Sequence, residues 1–524
     1  MTCSKIFSGN LPELTENIIK YFRNDFSTLY SCTLVNRFWC RLTIPLLWEN
    51  PFLITENSFS TRNYGFIGIY LLSLNGELKT KFNKFEINDN LLSSNTLFNY
   101  PSFIKYLNMW KFIHSIKRWS EDVFRKSKYK YPLEDLGSES DFGRLIQTSL
   151  LKIFIENEIN IHTLEIEIKT HSMILHDYAD IIKLILQNIN FIRNIKNLKL
   201  SILSFYDNTQ INKYILQIIN SHQNLKKIVL SNSNDFLFYQ PLLLSKDYNH
   251  CSNTLNSITL YRVNFKGIIN LNEMFEQLNV LESVHIIYCH YINTSFIQQI
   301  LNLTKPFKLK SLFIDASSKV DESLLLLLRK FGGYLENFRS VNFLSKVEQQ
   351  KILESVIEYC KNIKLLGIYN MNDEIVYPVL NLIENMKQNL NCLSICCERS
   401  KLDNSSSILL QNLGQILPSK LEYLNLFLYI NANDFEVFLK NSQGTFIKIL
   451  LIRDLMQKYN NNILPYIKEY IMKEKRVRYL NFKNNGKELF DFSDEVNEFK
   501  LHNIEVQKYN DLVIDNRQLI QIFD

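Results

Sequence analysis

The feature that most constrains this 524-residue chain is a spacing: the pattern apolar-x-x-apolar-x-apolar returns every 26 to 34 residues. It begins at Ile161-Leu164-Ile166, Ile195-Leu198-Leu200, Leu225-Ile228-Leu230, Leu255-Ile258-Leu260, Leu281-Val284-Ile286 and Leu309-Leu312-Ile314. It continues through Leu335-Phe338-Ser340, Ile363-Leu366-Ile368, Leu390-Leu393-Ile395, Leu421-Leu424-Leu426, Ile447-Leu450-Ile452 and Val477-Leu480-Phe482, with only Ser340 breaking the pattern. The last two positions of each triplet are two residues apart, so on a strand they face the same side. Between the triplets, segments such as Asp180 to Ile189, Ile211 to Ile219, Phe296 to Leu303, Glu348 to Tyr359 and Ile463 to Met472 carry helical periodicity.

Each unit is therefore one strand and one helix. Its few apolar side chains bring about 1.5–3 kcal/mol each, against about 1–2 kcal/mol of backbone entropy for every residue ordered. No unit can fold alone, and stacking supplies the missing burial. The predicted class is α/β: a solenoid with a curved parallel sheet inside and helices outside. Residues 151–484 form this array, with Phe82-Phe85-Ile87 as a stray further unit. Residues 52–150 form an aromatic and basic connecting region that also allows a first irregular repeat, and Tyr131 to Gly143 reads as a surface loop. Residues 485–524, where the repeat fades, are expected to cap its end.

Residues 1–51 have a different pattern, that of three short helices. Leu14, Ile18, Ile19 and Phe22 follow Leu11-Pro12-Glu13, and proline suits a first helical turn. Asp25 can cap a second helix carrying Leu29 and Cys32, and a third around Trp39 and Leu42 ends near Pro45. About forty residues rarely bury enough surface to be stable alone, so this head should lean on a partner or on the array.

The ordered run Leu11-Pro12-Glu13-Leu14, Ile18-Ile19, Phe22, Leu29, Leu34-Val35-Asn36-Arg37, Trp39 and Pro45-Leu46-Leu47-Trp48 resembles the F-box, in the form common in large fungal families. The triplets likewise resemble the strand signature of leucine-rich repeats, with unusually long units. The resemblance implies the substrate receptor of a Skp-cullin-F-box (SCF) ubiquitin ligase, a subunit without catalysis of its own. Leu11, Pro12, Ile18, Leu29, Leu34 and Val35 would then contact the Skp adaptor, and through it the cullin-RING ligase. Phe38 stands where a polar residue is more usual and is expected to pack locally.

Hydrophobic residues make up 46% and charged residues 21%, as in ordinary globular proteins, and the longest aliphatic run, Leu324 to Leu328, is too short to span a bilayer. The N-terminus lacks a secretory pattern, so a cytoplasmic or nuclear location is expected. Nine scattered cysteines fit free thiols in a reducing compartment. With 13 glycines, no phosphate-binding loop, no nucleophile elbow and no His-Glu-x-x-His, neither a catalytic apparatus nor a cofactor is expected.

Residues between and after the apolar strand positions face the concave side of such an array. Tyr261, His285, Phe313, Arg339, Tyr369, Tyr423, Asn425, Phe427, Tyr479 and Asn481, with Lys483, are the candidates for binding a target protein. The same aromatics can instead cover neighbouring strands. A basic stretch, Lys105, Lys111, Lys117, Arg118, Arg125, Lys126, Lys128 and Lys130 with Trp110, Trp119 and Tyr129, leaves a nucleic-acid-associated protein as a distant alternative, behind a plain repeat scaffold for protein binding. His285, Cys289 and His290, and Cys392, Cys396 and Cys397, lack the paired spacing of a zinc site, and structural burial is expected of them.

Overall fold

The computed structural model describes residues 12–23, 25–55, 64–74, 96–128, 136–168, 175–202, 209–222, 224–231, 252–305, 307–314, 322–340, 345–397, 404–456, 463–484 and 486–514. Leu11, Phe82-Phe85-Ile87 and Lys130 lie outside them. The chain divides into two compact units: Met1–Asn234 with Pro241–Asn256 and Leu278–Val280, and Asp235–Gln240 with Ser257–Gln277 and Leu281–Asp524. Both are mixed α/β, with strands that are mostly parallel.

The described residues of the first unit begin with the helices α1 (Pro12–Tyr21), α2 (Phe26–Thr33) and α3 (Arg37–Leu47). The Asp25 side chain accepts from the Thr28 amide at 3.0 Å and starts α2, and Asn36 does the same for α3 through the Trp39 amide at 2.9 Å. Ile19, Leu29, Cys32 and Trp39 form a small core, with Phe22, Phe38 and Leu42 packed against it. Buried Glu49 ties this head to the start of the sheet. Its carboxylate accepts from Arg23 Nε at 2.6 Å and pairs with Lys105, while its carbonyl accepts from the Lys105 and Tyr106 amides. Lys105, expected in a basic stripe, is thus held in an ion pair, and Arg118 lies 3.8 Å from Glu121.

After α4 (Gly65–Leu71), strand β1 (Tyr106–Asn108) opens a parallel sheet ordered β1, β2 (Thr163–Ile168), β3 (Asn197–Ile202) and β4 (Lys227–Ser231). Leu107, Leu164, Leu198 and Ile228 lie in one cross-strand row and are buried. The helices α5 (Met109–Lys128), α6 (Leu136–Glu156), α7 (Leu175–Gln187) and α8 (Thr209–Ser221) separate the strands. Residues 52–150 therefore contribute a strand and two long helices. The expected loop from Tyr131 to Gly143 is helical from Leu136 onward, because Phe142, Ile146, Leu150, Ile153 and Phe154 bury a helical stripe that outweighs the turn-forming residues at its start.

The second unit repeats strand and helix from β5 (Ser257–Tyr261) and β6 (Ser283–Cys289) through β7 (Lys308–Ile314), β8 (Asn337–Arg339), β9 (Leu365–Met371), β10 (Cys392–Cys397), β11 (Lys420–Leu428), β12 (Phe446–Asp454) and β13 (Val477–Asn484). Leu260, Ile286, Leu312, Phe338, Leu366, Leu393, Leu424, Leu450 and Leu480 form one buried row across all nine parallel strands. In that row the third apolar position of β6 faces the second of β7: two register shifts fall between these strands, and the second leaves Tyr288 as an unpaired bulge residue at φ 52°. The helical segments sit near their expected places, at Thr294–Leu301 and Lys346–Tyr359 for example, while the segment before β13 is α-helical only over Leu464–Ile467 and then widens to a π-turn over Lys468–Met472.

Strand β14 (Lys487–Glu488) pairs antiparallel and β15 (Glu505–Val506) parallel with β13, which closes an edge that would otherwise expose unpaired backbone groups. The chain then runs through a short helical turn at Tyr509–Leu512 onto one face of the sheet.

Candidate functional site

That face is built from two rows of residues between the buried ones. One row runs Tyr261, Ile287, Phe313, Arg339, Gly367, Ser394, Asn425, Leu451 and Asn481. The other runs Thr259, His285, Ser311, Asn337, Leu365, Cys392, Tyr423, Ile449 and Tyr479. Every candidate target contact lies in or beside these rows, yet Tyr261, His285, Phe313, Arg339, Tyr423 and Asn481 are buried, and Tyr369, Asn425, Phe427, Tyr479 and Lys483 are half-exposed.

The reason differs from end to end. Over β10 to β13 the chain's own C-terminal segment covers the face: Leu512 packs with Tyr423 and Leu451, flanked by Tyr479, Tyr509, Val513 and Ile514. Tyr423 Oη accepts the Ile514 amide at 3.4 Å, Asn481 Nδ2 donates to the Gln507 carbonyl at 2.6 Å, and Tyr509 Oη lies 3.5 Å from Asn425 Oδ1. Glu488 anchors the segment by accepting the Tyr509 amide at 2.9 Å while paired with Lys483. Burial works against its charge, but these donors hold its carboxyl below the usual range. Phe427 carries Arg453 at 4.5 Å from its ring.

Over β5 to β9 a different arrangement fills the face. His285 Nδ1 and Asn337 Nδ2 meet Ser311 Oγ at 2.8 and 3.0 Å, a polar ladder that occupies His285. Tyr261, Ile287, Phe313 and Leu365 form an apolar cluster on which Tyr288 and Ile514 pack. The Arg339 guanidinium lies 5.4 Å from the Phe313 ring and 5.7 Å from the Tyr369 ring, and its Nη1 donates to Tyr288 Oη at 2.9 Å. Tyr288 and Gly367 were not among the expected residues. Nothing in the sequence marks the bulge that turns Tyr288 onto this face. A glycine inside a strand was a readable signal of close approach.

In the two suggestive clusters, Cys289 Sγ donates to the Leu260 carbonyl at 3.3 Å, and Cys397 Sγ meets Ser406 Oγ at 3.0 Å. Among the described residues no group of three or more His, Cys, Asp or Glu is placed to hold a metal ion. No helix among them is long and apolar enough to cross a membrane.

The head presents the second candidate surface. Leu34 is 74% exposed, Leu14 49%, Val35 46% and Ile18 38%, and Pro12 is also exposed. Leu29, expected beside them as an adaptor contact, is fully buried instead, because it is the inward residue on which Ile19 and Trp39 close the head's own core.

No protein-family model matches the chain, and no curated protein matches it significantly.

Proposed function

We propose that the chain is a substrate-recognition subunit of an SCF-type ubiquitin ligase. In this reading the head is an F-box that docks on the Skp adaptor, the strand-helix array is a leucine-rich-repeat solenoid, and its strand face holds a target protein. The observation that carries it is the exposed apolar group Pro12, Leu14, Ile18, Leu34 and Val35 on a head of some forty residues. Large apolar side chains left out of a domain's own core are available for a docking partner to bury. The ordered F-box motif names that partner. The receptor's contribution to ubiquitin transfer is proximity, since it raises the effective concentration of the target near the ligase.

Co-purification with the Skp adaptor tests the reading. Full-length protein should retain the adaptor, and Leu34→Asp with Val35→Asp should lower retention about a hundredfold, since a charge forced into a dry contact is costly. Both side chains are exposed, so the unfolding temperature should stay within about 2 °C. Wild-type protein that retains no adaptor, or a double variant that binds as well as wild type, would leave a repeat scaffold in place of a ligase subunit.

A further inference from the structure

We propose that Arg339 is an oxyanion-binding subsite, taking a carboxylate or phosphate group presented by a peptide on the strand face of the second unit. The assignment rests on reading that face as a peptide-binding surface, and not on adaptor binding by the head.

Four features converge on the guanidinium. Arg339 is only 6% exposed, and no carboxylate among the described residues pairs with it. Among the described residues its one hydrogen bond is to Tyr288, and Nε is buried with no acceptor among them. Arginine cannot shed its proton to escape burial, so an uncompensated guanidinium is an unfavourable core residue unless something supplies acceptors. The rings of Phe313 and Tyr369 satisfy its π-facing sides but not its N–H groups.

The backbone is shaped around it. Tyr288, the bulge residue, holds a left-handed conformation that a large aromatic seldom adopts, and it thereby reaches Arg339 from two strands away. On the other side, a Cβ at Gly367 would sit 2.6 Å from Arg339 Cγ and 2.7 Å from Nε, so only glycine leaves room for the side chain to lie along the sheet. A bulge two strands away on one side and a glycine in the adjoining strand on the other are more than filling a core position requires.

The chemistry of the pair fits an oxyanion. A guanidinium fork matches two oxygens of a carboxylate or phosphate. Burial pushes the Tyr288 phenol up to about 12, so at neutral pH it keeps its proton. Its oxygen already accepts from Arg339, which leaves its hydrogen for the ligand. That the ligand arrives on a peptide chain is indicated by residues 507–514, which already lie on this face through backbone contacts to Asn481 and Tyr423 and reach the Tyr261–Phe313 cluster with Ile514.

The test is titration of the full-length protein with sodium phosphate, sodium acetate and sodium chloride at matched ionic strength and pH 7, with tyrosine fluorescence and the unfolding midpoint as readouts. A saturable response to phosphate or acetate, absent with chloride, is expected. A stronger response to phosphate assigns a phosphorylated residue as the source, and a stronger response to acetate assigns a carboxylate. Arg339→Gln should abolish the saturable phase, and Gly367→Ala, which displaces the guanidinium without removing it, should weaken it. If Arg339→Gln does not fold, Tyr288→Phe decides: it keeps ring and charge, and loss of one charge-assisted hydrogen bond should weaken apparent affinity about tenfold. Phosphate and acetate responses no different from chloride, or affinity unchanged in Tyr288→Phe, would overturn the subsite. If the subsite fails while substitutions at Leu512 still release the C-terminal segment, the peptide-binding reading of the face survives without it.

Discussion

The three-helix head and the C-terminal segment 505–514 are both short pieces that a regular strand-helix repeat does not absorb, yet they treat their apolar residues in opposite ways. The head buries Ile19, Leu29 and Trp39 in a core of its own and leaves Leu14, Leu34 and Val35 outside. The C-terminal segment has no core of its own: Leu512 and Ile514 find their burial on the strand face, against Tyr423 and its neighbours. The first arrangement leaves apolar side chains exposed beside a core, and in the second the chain covers its own strand face. An exposed apolar residue and a covered one thus carry different information, the one about what a core leaves out and the other about what the chain lays over its own sheet.

The comparison can be broken most forcefully at Leu29. If the head has an independent core, Leu29→Ala should cost about 3 kcal/mol and unfold the head, seen as loss of amide protection over residues 12–47. A change below about 1 kcal/mol would mean that the head's core is not what holds it. On the other side, Leu512→Ala should cost about 2 kcal/mol, smaller because the residue lies at the sheet surface, and should raise hydrogen exchange of the Ile514 and Tyr509 amides while strands β9 to β12 stay protected. Exchange rising equally in those strands would show the segment to be an integral layer of the sheet.

The smallest effect sharpens how the segment is held. Because the Glu488 carboxyl sits below its ordinary value of 4.5 in the folded chain, the unfolded form binds the proton more readily. Its stabilising contribution is therefore fully present above about pH 4.5 and is lost as pH falls through the folded value. Intrinsic-rate-corrected protection of the Tyr509 amide should fall severalfold across that acid window, and Glu488→Gln should show the lowered protection already at pH 7. Protection that is flat with pH in wild type would remove Glu488 as the anchor.

The alternation of strands and helices was legible because its cause is local. Triplets such as Leu393-Ile395 and Leu424-Leu426 carry their own two-residue period, and the intervening stretches carry a period near 3.6, so the buried row from Leu260 to Leu480 could be anticipated almost residue by residue. The capping role of Asp25 was readable for the same reason. The phase slip between β6 and β7 was not, since a bulge is decided by how two strands fit and leaves no mark in either alone. The helix from Leu136 was missed because serine, glycine and acidic residues at its start outweighed, in a local reading, an apolar stripe that matters only once something packs on it.

The candidate site divides in the same way. Alternation placed Tyr261, Phe313, Arg339, Tyr423 and Asn481 on one face from sequence alone. Whether that face is bare was settled by contacts between residues far apart in the chain: 51 positions separate Tyr288 from Arg339, 84 separate Asn425 from Tyr509, and 91 separate Tyr423 from Ile514. The same holds for Leu29, whose apolar character was plain but whose inward orientation depended on Trp39 closing over it. Sequence by itself determined the order of elements and the two faces of each strand, since both arise from the geometry of a single segment. Tertiary structure alone decided which of those faces is covered, by what, and which charge was left without a carboxylate beside it, because burial is a property of what approaches a residue and not of the residue itself.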